Sequence, residues 1–317
     1  MDKKKIYFAA GIVLIVILSL LSVTMSYLAF KERKHVQKII IKTEAPEYKI
    51  FVPEIPEEMD FCGEKVPLEL FDVHERMERE LFINAHWESS TATLLKKSNR
   101  WFPQIIDILK KNGVPEDFKY LAAIESGLSN AVSSAGAAGF WQLMEPTAKK
   151  YGLEINEFVD ERYNFEKATQ AACSFLKEAH AKYGNWTLAA ASYNLGINGI
   201  DKHIEKQRTK NYYNLYLVDE TSRFVFRLLA MKEIFKGPKK FGYDFKEDEL
   251  YRKIETEEVT VKKPIKDLAL FAKQNNVNYK ILKIFNPWLR NTSLPGKSGK
   301  VYKILIPKDG EALIAEE

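Results

Sequence analysis

The chain has 317 residues but only two cysteines and five histidines. Cys62 and Cys173 lie far apart in unlike surroundings, so they read as free thiols rather than a disulfide. Cys173, among Ala171, Ala172, Phe175 and Leu176, reads as a small buried apolar residue. His35, His74, His86, His180 and His203 are scattered, with no H-E-x-x-H pair and no Cys-His cluster, so no metal site is expected. A phosphate loop and a G-x-S-x-G elbow are both missing, and no cofactor is expected. Positive charge exceeds negative by little: 48 Lys and Arg stand against 43 Asp and Glu, a net +5. That excess helps a protein stay near an anionic polymer or surface. Without an RNP, zinc-finger or basic-zipper pattern it falls short of a nucleic-acid signature, and no nucleic-acid partner is expected. The chain has no long-period repeat and no low-complexity segment, and between residues 70 and 236 nothing reads firmly as a strand.

What is present begins with an uncharged run, IYFAAGIVLIVILSLLSVTMSYLAF, from Ile6 to Phe30. It is long enough to cross a bilayer and too long for the core of a signal peptide. No A-x-A cleavage pattern and no cysteine close it. Residues 1–30 are therefore expected to form a single transmembrane anchor in a bacterial inner membrane. Lys3, Lys4 and Lys5 favour the N-terminus inside and the body in the periplasm, although the flank KERKH is basic as well. Residues 31–60, with Pro46, Pro53 and Pro56 and little periodicity, read as a linker or extended arm.

From residue 61 to 240 the pattern is helical. LFDVHERMERELFINAHW sets Leu70, Val73, Met77, Leu81 and Ala85 on one face. NRWFPQIIDILKKNG reads as a helix with Pro103 near its start and Gly113 as its stop, and VPEDFKYLAAIESGL as a helix with Pro115 in its first turn. FEKATQAACSFLKEAHAKYG and WTLAAASYNLG each end in Gly, and DETSRFVFRLLAMKEIF offers Asp219 as an N-cap. The expected fold class is mainly α. Residues 241–317 change character: EEVTVKK and KVYKILIP read as strands, with two short amphipathic helices between them, a β-α-α-β module.

One residue breaks the helical pattern informatively. Glu125 occupies the apolar stripe that Phe118, Leu121 and Leu128 define. A charged carboxylate facing a core is costly unless paired, and desolvation raises its pKa instead, so that it can hold a proton near neutrality. A carboxyl of that kind can protonate a glycosidic oxygen. The plainer alternative is a helix-end Glu in an ion pair. Ala135 to Gly139 then present nearly bare backbone, with Gly136 at the centre, which lets a bulky ligand approach the main chain. Trp141 and Gln142 follow, an apolar plate and a bidentate amide suited to a sugar. A tight helix contact and a core Trp are the alternatives.

In combination, IESGL, AVSSAGAAGFWQLM and ASYNLG resemble the catalytic domain of the soluble-lytic-transglycosylase and goose-type lysozyme superfamily, and its membrane-bound murein type above all. The resemblance runs from about Phe61 to Lys236. It implies a lysozyme-like α-helical domain acting on peptidoglycan glycan strands. Glu125 matches the catalytic acid and Ser126 the Ser that follows it. Ser133 matches a Ser that contacts substrate, Gln142 the substrate-binding Gln, and Tyr193 and Asn194 the Tyr-Asn pair lining the cleft. Phe224 stands where many relatives have Tyr and is assigned no polar role. The implied reaction breaks the β-1,4 bond between N-acetylmuramic acid and N-acetylglucosamine without water, leaving a 1,6-anhydromuramyl end. Asp160 and Glu161 read as helix-start or ion-pair residues, and Glu145 as a first-turn charge beside Pro146. The C-terminal module resembles a LysM domain, through its β-α-α-β order, Asn286-Pro287 and the closing Ile306-Pro307, although Lys263 and Pro264 replace the usual opening turn. It would bind glycan or simply pack on the catalytic domain. A hydrolytic muramidase, and a membrane-tethered binding protein without turnover, remain the competing readings.

Overall fold

The structure is a computed structural model that describes residues 3–42, 51–296 and 299–308. It falls into two compact units, residues 1–52 and 53–317. The first unit contains helix α1, Lys3–Lys42. Within it Ile6–His35 is long and apolar enough to cross a membrane, with a mean hydropathy of 2.7 and no burial against protein. The helix continues past residue 30, so the first part of the expected linker is helical. Pro46 lies outside the described residues.

The second unit opens with a two-stranded hairpin, β1 Asp60–Phe61 and β2 Glu64–Lys65. Helices α2 Phe71–His86 and α3 Glu88–Lys111 follow. After a 3-10 turn at Glu116–Phe118 come α4 Lys119–Ser126, α5 Glu145–Lys150, α6 Phe165–Tyr183, α7 Trp186–Leu195, α8 Ile197–Gln207 and α9 Asp219–Lys236. The periodic faces pack as their spacing requires. Val73, Met77, Leu81 and Ala85 of α2 are buried, chiefly against α9. Leu70 stays outside as the N-cap. Helix α7 is lined by Leu188, Ala189, Ala190 and Ala191, whose small side chains let α6 and α9 close on it. Cys62 and Cys173 are free thiols, and Cys173 is buried.

Two helix boundaries differ from expectation. Helix α3 starts at Glu88 and carries Pro103 in its interior. Thr91, Leu94, Leu95, Phe102, Ile105 and Leu109 form one continuous buried stripe across it, and that burial outweighs the roughly 3 kcal/mol an interior proline costs. Asp219 is the first residue of α9 rather than its cap. Val218 takes the cap position and makes no side-chain bond.

The C-terminal module is β3 Thr256–Val261, α10 Leu268–Gln274, α11 Tyr279–Phe285 and β4 Tyr302–Pro307. The strands pair antiparallel from Thr256↔Pro307 to Val261↔Tyr302. Tyr302, Ile304 and Ile306 point inward against Leu268, Ala272 and Leu282. Asn286, fully buried, binds the carbonyls of Leu282 and Leu305 and accepts from the Leu305 amide, so its burial leaves nothing unpaired. The module's core continues into the helical body through Ala138, Val159 and Tyr163. Backbone bonds cross the junction, from Asp160 N to Trp288 O at 2.9 Å and from Arg290 N to Phe158 O at 2.8 Å.

Candidate active site

Glu125 sits in the last turn of α4, which ends because Gly127 takes a left-handed conformation (φ 59°). Its carboxyl is half-buried, and among the described residues none donates a hydrogen bond to it. Burial pushes its pKa up to about 7; Arg227 pulls against that shift and Glu220 adds to it. A carboxyl so poised is protonated in a large fraction of molecules at neutral pH. The ion-paired alternative is not the arrangement found.

Three elements surround it. Helix α9 brings Glu220 and Arg227, seven residues apart and hence on one face. Arg227 donates to the Ile124 carbonyl at 3.2 Å, where α4 leaves orphan carbonyls. Helix α7 brings Tyr193 and Asn194. The Tyr193 hydroxyl donates to Trp141 O at 2.7 Å. Burial, with the Glu125 charge nearby, holds its phenol well above the ordinary range, so it stays neutral. Asn194 donates to Glu220 Oε1 at 3.0 Å and accepts from the Thr221 hydroxyl at 2.7 Å.

The third element is the segment from Ala131 to Leu143, folded by its own backbone. Ser133 N donates to Ala137 O, Gly139 N to Ala131 O, and Ala138 and Leu143 exchange bonds at 3.2 Å. Ser133 Oγ accepts from the Ala137 amide at 3.0 Å. Gln142, at φ 46°, donates its side-chain amide to Ala131 O and Gly139 O, which leaves its own side-chain carbonyl free to accept from a ligand. Ser126 donates to Phe140 O at 2.8 Å and so ties the acid's helix to this loop. Gly136 is exposed, but its N–H is engaged by Ser133 O and its carbonyl by Arg162, so it offers a ligand its bare Cα face.

The structure therefore gathers Tyr193 and Asn194 near Glu125. It assigns the hydroxyls of Ser126 and Ser133 and the amide donors of Gln142 to holding the loop. For Trp141 the core alternative holds: it is fully buried and donates to the Thr169 hydroxyl at 2.9 Å, so it is no sugar platform. Asp160 pairs with Arg162, Glu161 with Lys167, and Glu145 with Lys149, all as ion-pair residues. Sequence reasoning does not reach Arg227 or Arg162, and it offers Glu220 only as a fallback second acid, with Glu145, should the products prove hydrolytic. For Arg227, the i, i+7 spacing from Glu220 on α9 is the available signal. A cavity of about 840 Å³ lies apart from Glu125, between the helical body and the C-terminal module, walled by Trp101, Phe140, Tyr163, Trp288 and Tyr302. Among the described residues no His, Cys, Asp and Glu group could hold a metal ion.

This arrangement, a mainly helical body with half-buried Glu125 at the end of a short helix and a glycine loop beside it, followed by a small β-α-α-β module, agrees with the two family models that the sequence matches. Residues 104–216 match the family described as Transglycosylase SLT domain, and residues 257–310 that described as Soluble lytic transglycosylase C-terminal LysM-like domain. The chain is similar to membrane-bound lytic murein transglycosylase D of Escherichia coli K12, 29% identical over 206 residues, which are 63% of this chain and 44% of that protein. The same protein from strain CFT073 matches to the same extent. The chain thus spans less than half the length of these curated relatives. A solved structure of an inactive mutant of lytic transglycosylase Slt from Pseudomonas aeruginosa covers 58% of this chain and 36% of its own, at 20% identity and a TM-score of 0.38.

Proposed function

We propose that the protein cleaves the β-1,4 bond between N-acetylmuramic acid and N-acetylglucosamine in peptidoglycan without consuming water, remodelling the wall from an inner-membrane tether with its body in the periplasm. The observation that carries this reading is the half-buried carboxyl of Glu125, which accepts no hydrogen bond among the described residues and whose pKa burial raises to about 7. Protonated Glu125 donates to the leaving glycosidic oxygen. The resulting carboxylate then takes the proton of the muramyl C6 hydroxyl as that oxygen bonds to C1, so one group gives and recovers one proton. Tyr193 and the free carbonyl of Gln142 supply polar contacts to the bound sugars, beside the open face of Gly136. The apolar helix at the N-terminus and the membrane-bound relative support the tether. On this reading the C-terminal module, which matches a LysM-like family, offers a second contact with the glycan.

Glu220 is the one observation favouring hydrolysis, since it is a second carboxylate within electrostatic reach of the acid. It is exposed and already accepts from Asn194, which suits it to tuning Glu125 better than to activating water. The test is Glu125→Gln on purified sacculi. The variant should stay folded, still bind sacculi and release no anhydromuropeptides. Retention of more than a few per cent of activity would remove Glu125 from the mechanism.

A further inference from the structure

Residues 154–163 lie between two parts of the molecule that the reaction scheme treats separately. On one side the C-terminal module grips this segment. Trp288 O accepts from Asp160 N, Phe158 O accepts from Arg290 N, Val159 bridges Leu289, and Lys300 pairs with Glu154. The Arg290 guanidinium also lies 4.3 Å from the centre of the Tyr163 ring. On the other side the same segment grips the loop next to Glu125. Arg162 Nη1 donates to Gly136 O at 2.8 Å and to Leu143 O at 3.3 Å, reaching both limbs of the loop. Its Nε and Nη2 are held by Asp160 at 2.7 to 3.2 Å, and the pair is nearly buried, with 11% and 10% of the side chains exposed. The Arg162 carbonyl presses on Gly139 so closely that a Cβ there would fall 2.0 Å from it.

From this geometry we infer that Arg162 is a positioning residue for the reaction, and that the C-terminal module acts through it as a brace for the active-site loop. The inference rests on the proposed transglycosylase reading for its kinetic consequence only. Arginine suits this position because its rigid guanidinium fork satisfies a carboxylate and two carbonyls at once, which an ammonium cannot do. Leu143 O and Gly136 O flank Phe140, whose carbonyl anchors Ser126 beside the acid, and Gln142. Loosening the loop therefore displaces the sugar-contacting carbonyl of Gln142 relative to Glu125, and a displacement of about 1 Å can cost about 10²-fold in rate. Arg162 is not among the groups that set the Glu125 pKa, so the pH dependence should not move.

The test uses the full-length chain with Arg162→Gln, Arg162→Lys and the surface variant Arg290→Ala, assayed on soluble uncrosslinked glycan strands. Hydrogen exchange of residues 131–143 is read without substrate. The expected result is a fall in kcat of tenfold or more for both Arg162 variants, with KM changed less. The midpoint of the pH profile should stay put and exchange in the loop should be faster. Lys should fail to rescue despite its charge, and Arg290→Ala should speed loop exchange to a smaller degree. Loop exchange and kcat within twofold of wild type in Arg162→Lys would overturn the brace. So would faster exchange with unchanged kcat. Should Arg162→Gln lose its cooperative melt, Arg162→Lys and Arg290→Ala decide by the same criteria. An inactive wild type would count against the transglycosylase reading and leave the exchange result to judge the brace alone.

Discussion

Glu125 keeps its proton to about pH 7 because the fold half-buries it, and this links activity to stability. Between the ordinary carboxylate range and pH 7 the unfolded chain loses this proton while the folded one retains it, so the contribution of Glu125 to stability falls as pH rises and is lost above about 7. Glu125→Gln should therefore melt higher than wild type at pH 8, by about 1–3 kcal/mol in unfolding free energy, and no higher at pH 4. Paired thermal melts at the two pH values check this; an equal gain at both would mean the effect is not ionisation. Activity should decline with an alkaline midpoint near 7. Glu220→Gln removes a negative neighbour and should move that midpoint down, whereas Arg227→Gln removes a positive one and should move it up. The pH dependence of initial rates decides, and shifts of the opposite sign would contradict this account of the acid. The candidate acid stood out in the sequence because a carboxylate inside an apolar stripe is conspicuous and because the motifs around it resemble a known family. The tuning by Glu220 and Arg227 was not, because the two reach Glu125 only after α9 folds back across α4. Trp141 stayed open because an aromatic residue beside glycines is equally suited to a ligand or to a core, and only burial distinguishes the two.

At the scale of elements, the loop from Ala131 to Leu143 depends on two glycines for different reasons. Gly139 has φ +80° and the Arg162 carbonyl directly over the place a Cβ would take. Gly136 has φ +86° and open space there. Gly139→Ala should cost about 3 kcal/mol or more, combining strain with a backbone clash, while Gly136→Ala should cost only the left-handed penalty of about 1–2 kcal/mol. Chemical denaturation of the two variants tests the difference, and equal losses would mean the loop moves off Arg162 at little cost. The run of small residues was plain in the sequence. Which glycine is sterically required was not, since the colliding carbonyl comes from a segment far along the chain. Helix boundaries were read less well than helix faces. Helix α3 carries Pro103 because burial along its whole stripe dominates the local preference, and Asp219 begins α9 without capping it.

On the scale of the whole molecule, the uncharged, membrane-length stretch Ile6–Phe30 precedes a helical body whose substrate, on the reading proposed, is a fixed polymer. Protease added to spheroplasts should remove the residues beyond α1, because Lys3, Lys4 and Lys5 favour the inside. Protection of the body until lysis would reverse the orientation. The mainly helical body and the β-α-α-β module were legible from periodicity alone, whereas their shared core at Ala138, Val159 and Tyr163 was not, because contacts between modules leave no periodic trace. The central claim is that Glu125 works without a second acid, so that the muramyl C6 hydroxyl, held within the same sugar, outcompetes water. Digestion of purified sacculi, followed by borohydride labelling and mass spectrometry of the products, tests it most directly. The account predicts 1,6-anhydromuramyl ends with no new reducing ends; reducing muramic ends in proportion to cleavage would contradict it.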